Sequence, residues 1–235
     1  MFKVVRFQTL LLSVAAIVLA AAVTPAFLLS RKISSASAFS QAEKRRVVLD
    51  AGHGGEDPGV TGVSTGIKES DLNLKMALTL GDLLSSAGFK TVQTRVSEGS
   101  LVSGRYVKSE DMEARKRTIE RAKPQAVVSI HMNKYSEDPK RRGVQVFYST
   151  ENSAAFAEQM QTHLNNAMNV PTLGRGFDPI RGDYFIAKCA DCPSVIIECA
   201  FLSSPLDEAL ISDANYRLRL AIEIEKGIEA FLNAA

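Results

Sequence analysis

Apolar and polar positions follow two rhythms along this chain. Short apolar runs lie at residues 46–50, 90–94, 126–130, 143–148, 184–187 and 194–199. They are too short for helices and predict strands, and the longest are nearly continuous, as strands buried on both faces are. Between them apolar residues return every three or four positions. Leu72, Met76, Leu80 and Leu83 do so over residues 69–86, with Leu84 beside them and Gly88 where a helix stop is expected. Residues 110–123 read as a charged amphipathic helix ended by Pro124, and residues 153–168 as another helix. Leu218, Ala221, Ile222, Ile228 and Phe231 mark a last helix over 216–232. Strands alternating with helices predict a single α/β domain, a three-layer sandwich with a mainly parallel twisted sheet flanked by helices.

The start of the chain breaks this pattern. Residues 7–29 are almost wholly apolar, with Lys3 and Arg6 before them and Arg31 and Lys32 directly after. Such a run is long enough to span a bilayer core of about 30 Å. Residues 1–30 therefore read as a signal anchor or transmembrane segment. Ala36-Ser37-Ala38 offers a cleavage-like site, but it lies beyond the charges. Kept or cleaved, the segment puts the rest of the chain outside the cytoplasm. Residues 31–44, rich in Ser and Ala, read as a short tether, which leaves 45–235 as the folded domain.

Composition adds limits. The chain has 235 residues, 46% hydrophobic and 23% charged, which suits one domain plus an appendage. A domain of this size folds without a structural metal, so a bound metal is free to serve chemistry. The net charge is +2, with no basic stretch interleaved with aromatics, so nucleic acid is not a suggested partner. Cys189 and Cys192 form a CxxC pair and Cys199 stands alone. A local disulfide and two free thiols both fit the pair; a zinc site of this type would want a second pair.

Candidate chemistry starts from three histidines. His53 lies in Asp50-Ala51-Gly52-His53-Gly54-Gly55, just past the first strand, and His131 follows the run at 126–130. Open α/β sheets bind ligands at the carboxyl ends of their strands, where two such histidines can converge. A hydrolytic zinc takes three protein ligands and leaves one position open. Glu69, at the start of the helix after the His53 loop, is the best-placed third ligand, with Asp71 ranked second. An acid at a helix N-terminus also has a plain role, a favourable interaction with the helix dipole. Glu198 is the sharper anomaly, a carboxylate within Val195-Ile196-Ile197-Glu198-Cys199-Ala200-Phe201. Buried and unpaired it would cost several kcal/mol. It is either salt-bridged or exposed on an edge strand, or it is a general base for water at the metal, its pKa raised by burial. His163 sits mid-helix among Gln161, Asn165 and Asn166 and reads as a residue of a solvated face. HExxH and the HxE…PCxxC deaminase pattern are absent.

Four motifs then carry a resemblance: residues 47–55, Lys68-Glu69-Ser70-Asp71-Leu72-Asn73-Leu74, Ser129-Ile130-His131-Met132-Asn133, and Ile196-Ile197-Glu198-Cys199-Ala200-Phe201-Leu202-Ser203. In this order over 46–232 they resemble the N-acetylmuramoyl-L-alanine amidases of the zinc amidase-3 type. The resemblance implies one Zn2+ per chain on His53, Glu69 and His131, and Glu198 as catalytic residue. It implies cleavage of the amide between the lactyl group of N-acetylmuramic acid and L-alanine in peptidoglycan. Asn133, in the His131 motif, is assigned to substrate binding. The chain departs at Ser204, where Asn is common, and at Cys199, where Val or Leu is usual. A bare domain behind an N-terminal anchor, with Ser109-Glu110-Asp111-Met112-Glu113-Ala114-Arg115 before the His131 strand, resembles the spore-cortex, germination-specific amidases that help make muramic-δ-lactam. That implies a place in the cell envelope or forespore intermembrane space and, by resemblance only, an activating lipoprotein partner. Two other readings stay open: a zinc peptidase cutting stem-peptide cross-links, and a non-catalytic wall-binding module.

Overall fold

A computed structural model describes residues 45–102 and 104–234. The expected anchor at 1–30 and tether at 31–44 lie outside the described residues. Among the described residues no helix is long and apolar enough to cross a membrane.

Among the described residues, six strands form one sheet in the order β2-β1-β3-β6-β4-β5. They are β1 (Arg46–Ala51), β2 (Lys90–Gln93), β3 (Ala126–Asn133), β4 (Gln145–Tyr148), β5 (Ile180–Arg181) and β6 (Ser194–Phe201). The pairs β2·β1, β1·β3, β3·β6 and β4·β5 are parallel, and only β4 runs antiparallel to β6. The helices are α1 (Glu69–Ser86), α2 (Lys108–Ala122), α3 (Ala154–Leu164), α4 (Pro205–Ser212) and α5 (Ala214–Ala234). One π-helical turn, Asn165–Asn169, extends α3 into Val170–Leu173.

Strand alternation assigns the two layers. Val47, Leu49 and Ala51 of β1, Val128 and Ile130 of β3, and Val195 and Ile197 of β6 enter the larger core. There they meet Leu72, Met76, Leu80 and Leu84 of α1, Phe156, Met160 and Leu164 of α3, and Leu220, Ile224 and Ile228 of α5. Burying each such side chain stabilises by about 1.5–3 kcal/mol. The opposite face is thin. Val48, Val127 and Ile196 share their buried cluster with Ile119 and Ala122 of α2 and Ile186, Ala187 and Cys189 of the segment before β6, with Val92, Met112, Phe147 and Tyr184 among the half-buried residues at its edge. Towards the carboxyl ends of the strands this thin face becomes polar: Asp50, Ser129, His131 and Glu198 continue the alternation of Val48, Val127 and Ile196.

One expected strand is not there. Residues 184–187 do not pair; Ile186–Lys188 is a turn of 3-10 helix, closed by Lys188 N–H on Phe185 O and Cys189 N–H on Ile186 O. The apolar run is satisfied by burial of Ile186 and Ala187 against the thin face, which needs no ladder partner. The strand of this region is the two-residue β5, whose pattern is too short to stand out. Helix α4, with Pro205 at its first turn, was likewise hidden between β6 and α5.

Candidate active site

The site starts where β1 ends. Gly52 N–H still bonds Ile130 O at 3.1 Å, and the next residue, His53, turns left-handed at φ 61°. A non-glycine residue is strained there, so something must hold it. Two buried arginines do. Arg115 donates to Ala51 O (2.7 Å) and His53 O (2.5 Å), and Arg95 to Ala51 O and Gly52 O (both 2.9 Å). Arg115 is itself paired to Asp50 (2.8 Å) and Asp111 (2.7 Å). Asp50 also accepts from Thr94 and Ser129 hydroxyls, each at 2.6 Å. Burial alone would raise the Asp50 pKa; Arg115 and the two hydroxyls outweigh it and lower it.

Glu69 opens α1, but its side chain does not serve the helix end. It is 2% exposed and turns into the sheet. Its Oε1 lies 3.2 Å from His53 Nε2 and 3.0 Å from His131 Nδ1, and accepts Met132 N–H at 3.0 Å. Its Oε2 accepts Val60 N–H at 2.8 Å. Burial works to raise its pKa, but His131 and His53 prevail and hold the carboxyl well below the usual range. His53 moves the other way: burial lowers its pKa, while Glu69 and Asp57 raise it further. The ligand atoms of His53, Glu69 and His131 all lie within 4.8 Å of one another. Two glycines permit this. A Cβ at Gly52 would collide with the His131 ring, and one at Gly59 (φ 66°) with the Glu69 carboxylate.

Glu198 is placed by register. It pairs with His131 across the parallel β3·β6 ladder, so both side chains leave the same face. The residue is partly exposed, yet its Oε2 is buried and has no hydrogen-bond partner. Burial pushes its pKa up to about 7, with His131 opposing and the Glu69 charge adding to the rise. The Glu198 charge in turn raises the pKa of Tyr184, after burial. A cleft of about 260 Å³ opens here, lined by His53, His131, Tyr106, Met112, Tyr184 and Phe185 among others. Two imidazoles and a carboxylate converge on one point, and an unpartnered carboxylate oxygen is buried beside them. That donor set fits zinc with one open position.

The other expected residues sit elsewhere. Asp71 is on the same helical turn as Glu69 but is not among the converging groups. Asn133 lies beyond a register shift after His131, and its Oδ1 accepts Lys134 N–H at 2.8 Å. His163 is only half-solvated, because its Nε2 meets Glu223 Oε2 of α5 at 3.0 Å. Cys189, Cys192 and Cys199 are free thiols in this structure. Sequence reasoning missed the roles of Arg95, Arg115 and Asp57. Only Asp50, an acid ending an apolar strand, hinted that a buried cation would answer it.

A mainly parallel sheet sandwich that gathers two histidines and two glutamates at its strand ends has the architecture of a hydrolase, with a cluster at its centre that could hold a metal ion. The chain belongs to the N-acetylmuramoyl-L-alanine amidase family, whose model matches residues 47–230. The germination-specific N-acetylmuramoyl-L-alanine amidase of Bacillus subtilis is 31% identical over 190 residues, 77% of each chain. The amidase AmiC of Neisseria meningitidis is 25% identical over 231 residues, 80% of this chain and 53% of its own length, so this chain spans about half of that relative. The CwlD amidase from Clostridioides difficile, solved in complex with the GerS lipoprotein, superposes with a TM-score of 0.74 at 30% identity, over 81% of this chain and 100% of its own.

Proposed function

We propose that this chain hydrolyses the amide between the lactyl group of N-acetylmuramic acid and L-alanine in peptidoglycan, with one zinc ion held by His53, Glu69 and His131. The observation that carries the mechanism is Glu198 Oε2, buried without a partner one strand from His131. Bound zinc would supply Lewis acidity, bringing the pKa of water down to about 7 and polarising the scissile carbonyl. Glu198 takes the proton of the attacking water and delivers it to the leaving nitrogen of L-alanine. A carboxyl with a pKa of about 7 is suited to both transfers near neutral pH. The loop pinned by Arg95 and Arg115 holds His53 in place without reorganisation, and the cleft walls at Tyr184 and Met112 limit water. Asn133, at the open end of β3, contacts the peptide stem.

In this reading residues 1–30 anchor the chain, 31–44 tether it, and 45–235 work outside the cytoplasm, in the cell envelope or forespore intermembrane space. The basic residues on both sides of the apolar run support the anchor. The likeness to a germination-specific amidase supports a role in spore-cortex modification. The likeness to an amidase solved with a lipoprotein supports a partner of that kind. Mass spectrometry of peptidoglycan digested by the purified protein tests the reaction. Free stem peptides that begin with L-alanine are expected; cut cross-links with intact lactyl amides would overturn it.

A further inference from the structure

His53 has two ring nitrogens, and the structure gives each a separate task. Nε2 faces Glu69 Oε1 at 3.2 Å, within the converging group. Nδ1 points the other way, where Asp57 Oδ2 lies 2.9 Å off. That oxygen stands off the N–H direction, so Nδ1 is buried with an acceptor beside it but no aligned hydrogen bond. Asp57 is not free to drift. Its Oδ1 accepts Gly59 N–H at 3.1 Å, its backbone bridges to Gly54, and its Oδ2 accepts the Tyr106 hydroxyl at 3.3 Å. The carboxylate is thus fixed by its own loop, with one oxygen turned to the imidazole.

We infer that Asp57, backed by Tyr106, is the positioning residue of His53: in the loaded centre a small turn of the ring lets it accept the Nδ1–H, which fixes the tautomer that leaves Nε2 free to ligate and strengthens that nitrogen as a donor. The inference rests on the reading of His53 as a metal ligand. Ligating histidines that donate their other N–H to a carboxylate are held in orientation and made more basic by it. Asp57 touches no reacting atom; it acts through His53. Tyr106 restricts the carboxylate to one orientation, and its own phenol is pushed up to about 12 by burial and the Asp57 charge, so it stays a hydrogen-bond donor.

The test is zinc affinity of the full chain, measured by competition with a chromophoric chelator. Asp57→Ala should weaken zinc binding roughly 10- to 100-fold, and Asp57→Asn, which keeps an acceptor for Gly59 N–H, about tenfold. Nitrogen-15 NMR of the zinc-loaded protein should show a His53 Nδ1–H that is shifted or lost in both variants. A merely structural role for Asp57 would lower the melting temperature of the metal-free protein and leave both readouts unchanged. Zinc affinity within about twofold of wild type in Asp57→Asn, with unchanged His53 ring shifts, would overturn the inference. His53→Ala separates the two levels. If it keeps its zinc, the ligand set itself is wrong; if it loses zinc while Asp57→Asn does not, only the role of Asp57 falls.

Discussion

Two clusters of buried charge lie side by side under the carboxyl ends of β1 and β3, and they are built on opposite principles. In the first, Asp50, Asp111 and Arg115 answer one another completely. Both Asp50 oxygens and both Asp111 oxygens accept bonds, and the Arg115 guanidinium reaches two carboxylates and two carbonyls. In the second, Glu69 is crowded with donors, yet Glu198 Oε2 and His53 Nδ1 are buried without an aligned partner. Buried polar atoms are almost always satisfied, so the exceptions call for a reason. The first cluster fixes a left-handed turn at His53 and asks for nothing more. The second keeps an unanswered carboxylate oxygen on Glu198, which in the function proposed above is left for an ion and a substrate.

The largest effect should come from opening the closed cluster. Arg115→Met leaves Asp50 and Asp111 buried without their cation, and urea denaturation should show a loss of about 3–5 kcal/mol. A loss under about 1 kcal/mol would mean that this pairing is not what holds the β1 loop.

The open cluster should respond in the opposite direction. The Glu198 carboxyl keeps its proton up to about pH 7 in the fold, whereas the unfolded chain releases it near its ordinary value of 4.5. Between those values the native state binds the extra proton, so its stability falls as pH rises, and the full penalty stands above pH 7. In the metal-free protein, Glu198→Gln should therefore be neutral at pH 4 and gain on the order of 3 kcal/mol at pH 8. No gain at pH 8 would show that the carboxylate is better solvated than its burial implies.

A smaller effect sharpens the contrast from the first side. Ser129→Ala removes one hydroxyl from the Asp50 carboxylate and should cost about 1.5–3 kcal/mol, the worth of a hydrogen bond to a charged group. Thermal denaturation reads it, and an unchanged midpoint would argue that water replaces the hydroxyl.

Much of this was legible in the sequence. Helix α1 has the bounds its periodicity implied, and β1, β3 and β6 were visible as apolar runs that lead to His53, His131 and Glu198. Runs and periods are local, so they survive translation into structure. Glu69 shows the limit. Its place at a helix start fits a dipole role, and only the packing of α1 against β3 turns its carboxylate towards His131. Arg115 lies 65 residues from the Asp50 it pairs with, and in the sequence it is one cation of a charged helix. The segment at 184–187 failed for a related reason, because an apolar run reports burial and says nothing about whether a neighbouring strand is within reach.

The central claim is that Glu198 moves the proton in a centre whose ion is held by other residues. It is tested most directly by Glu198→Ala, assayed for bound zinc by metal analysis and for stem-peptide release by mass spectrometry. One zinc per chain should remain, while release falls by roughly 10²- to 10⁴-fold, the usual contribution of a general acid–base. Near wild-type release from a zinc-loaded Glu198→Ala would contradict it.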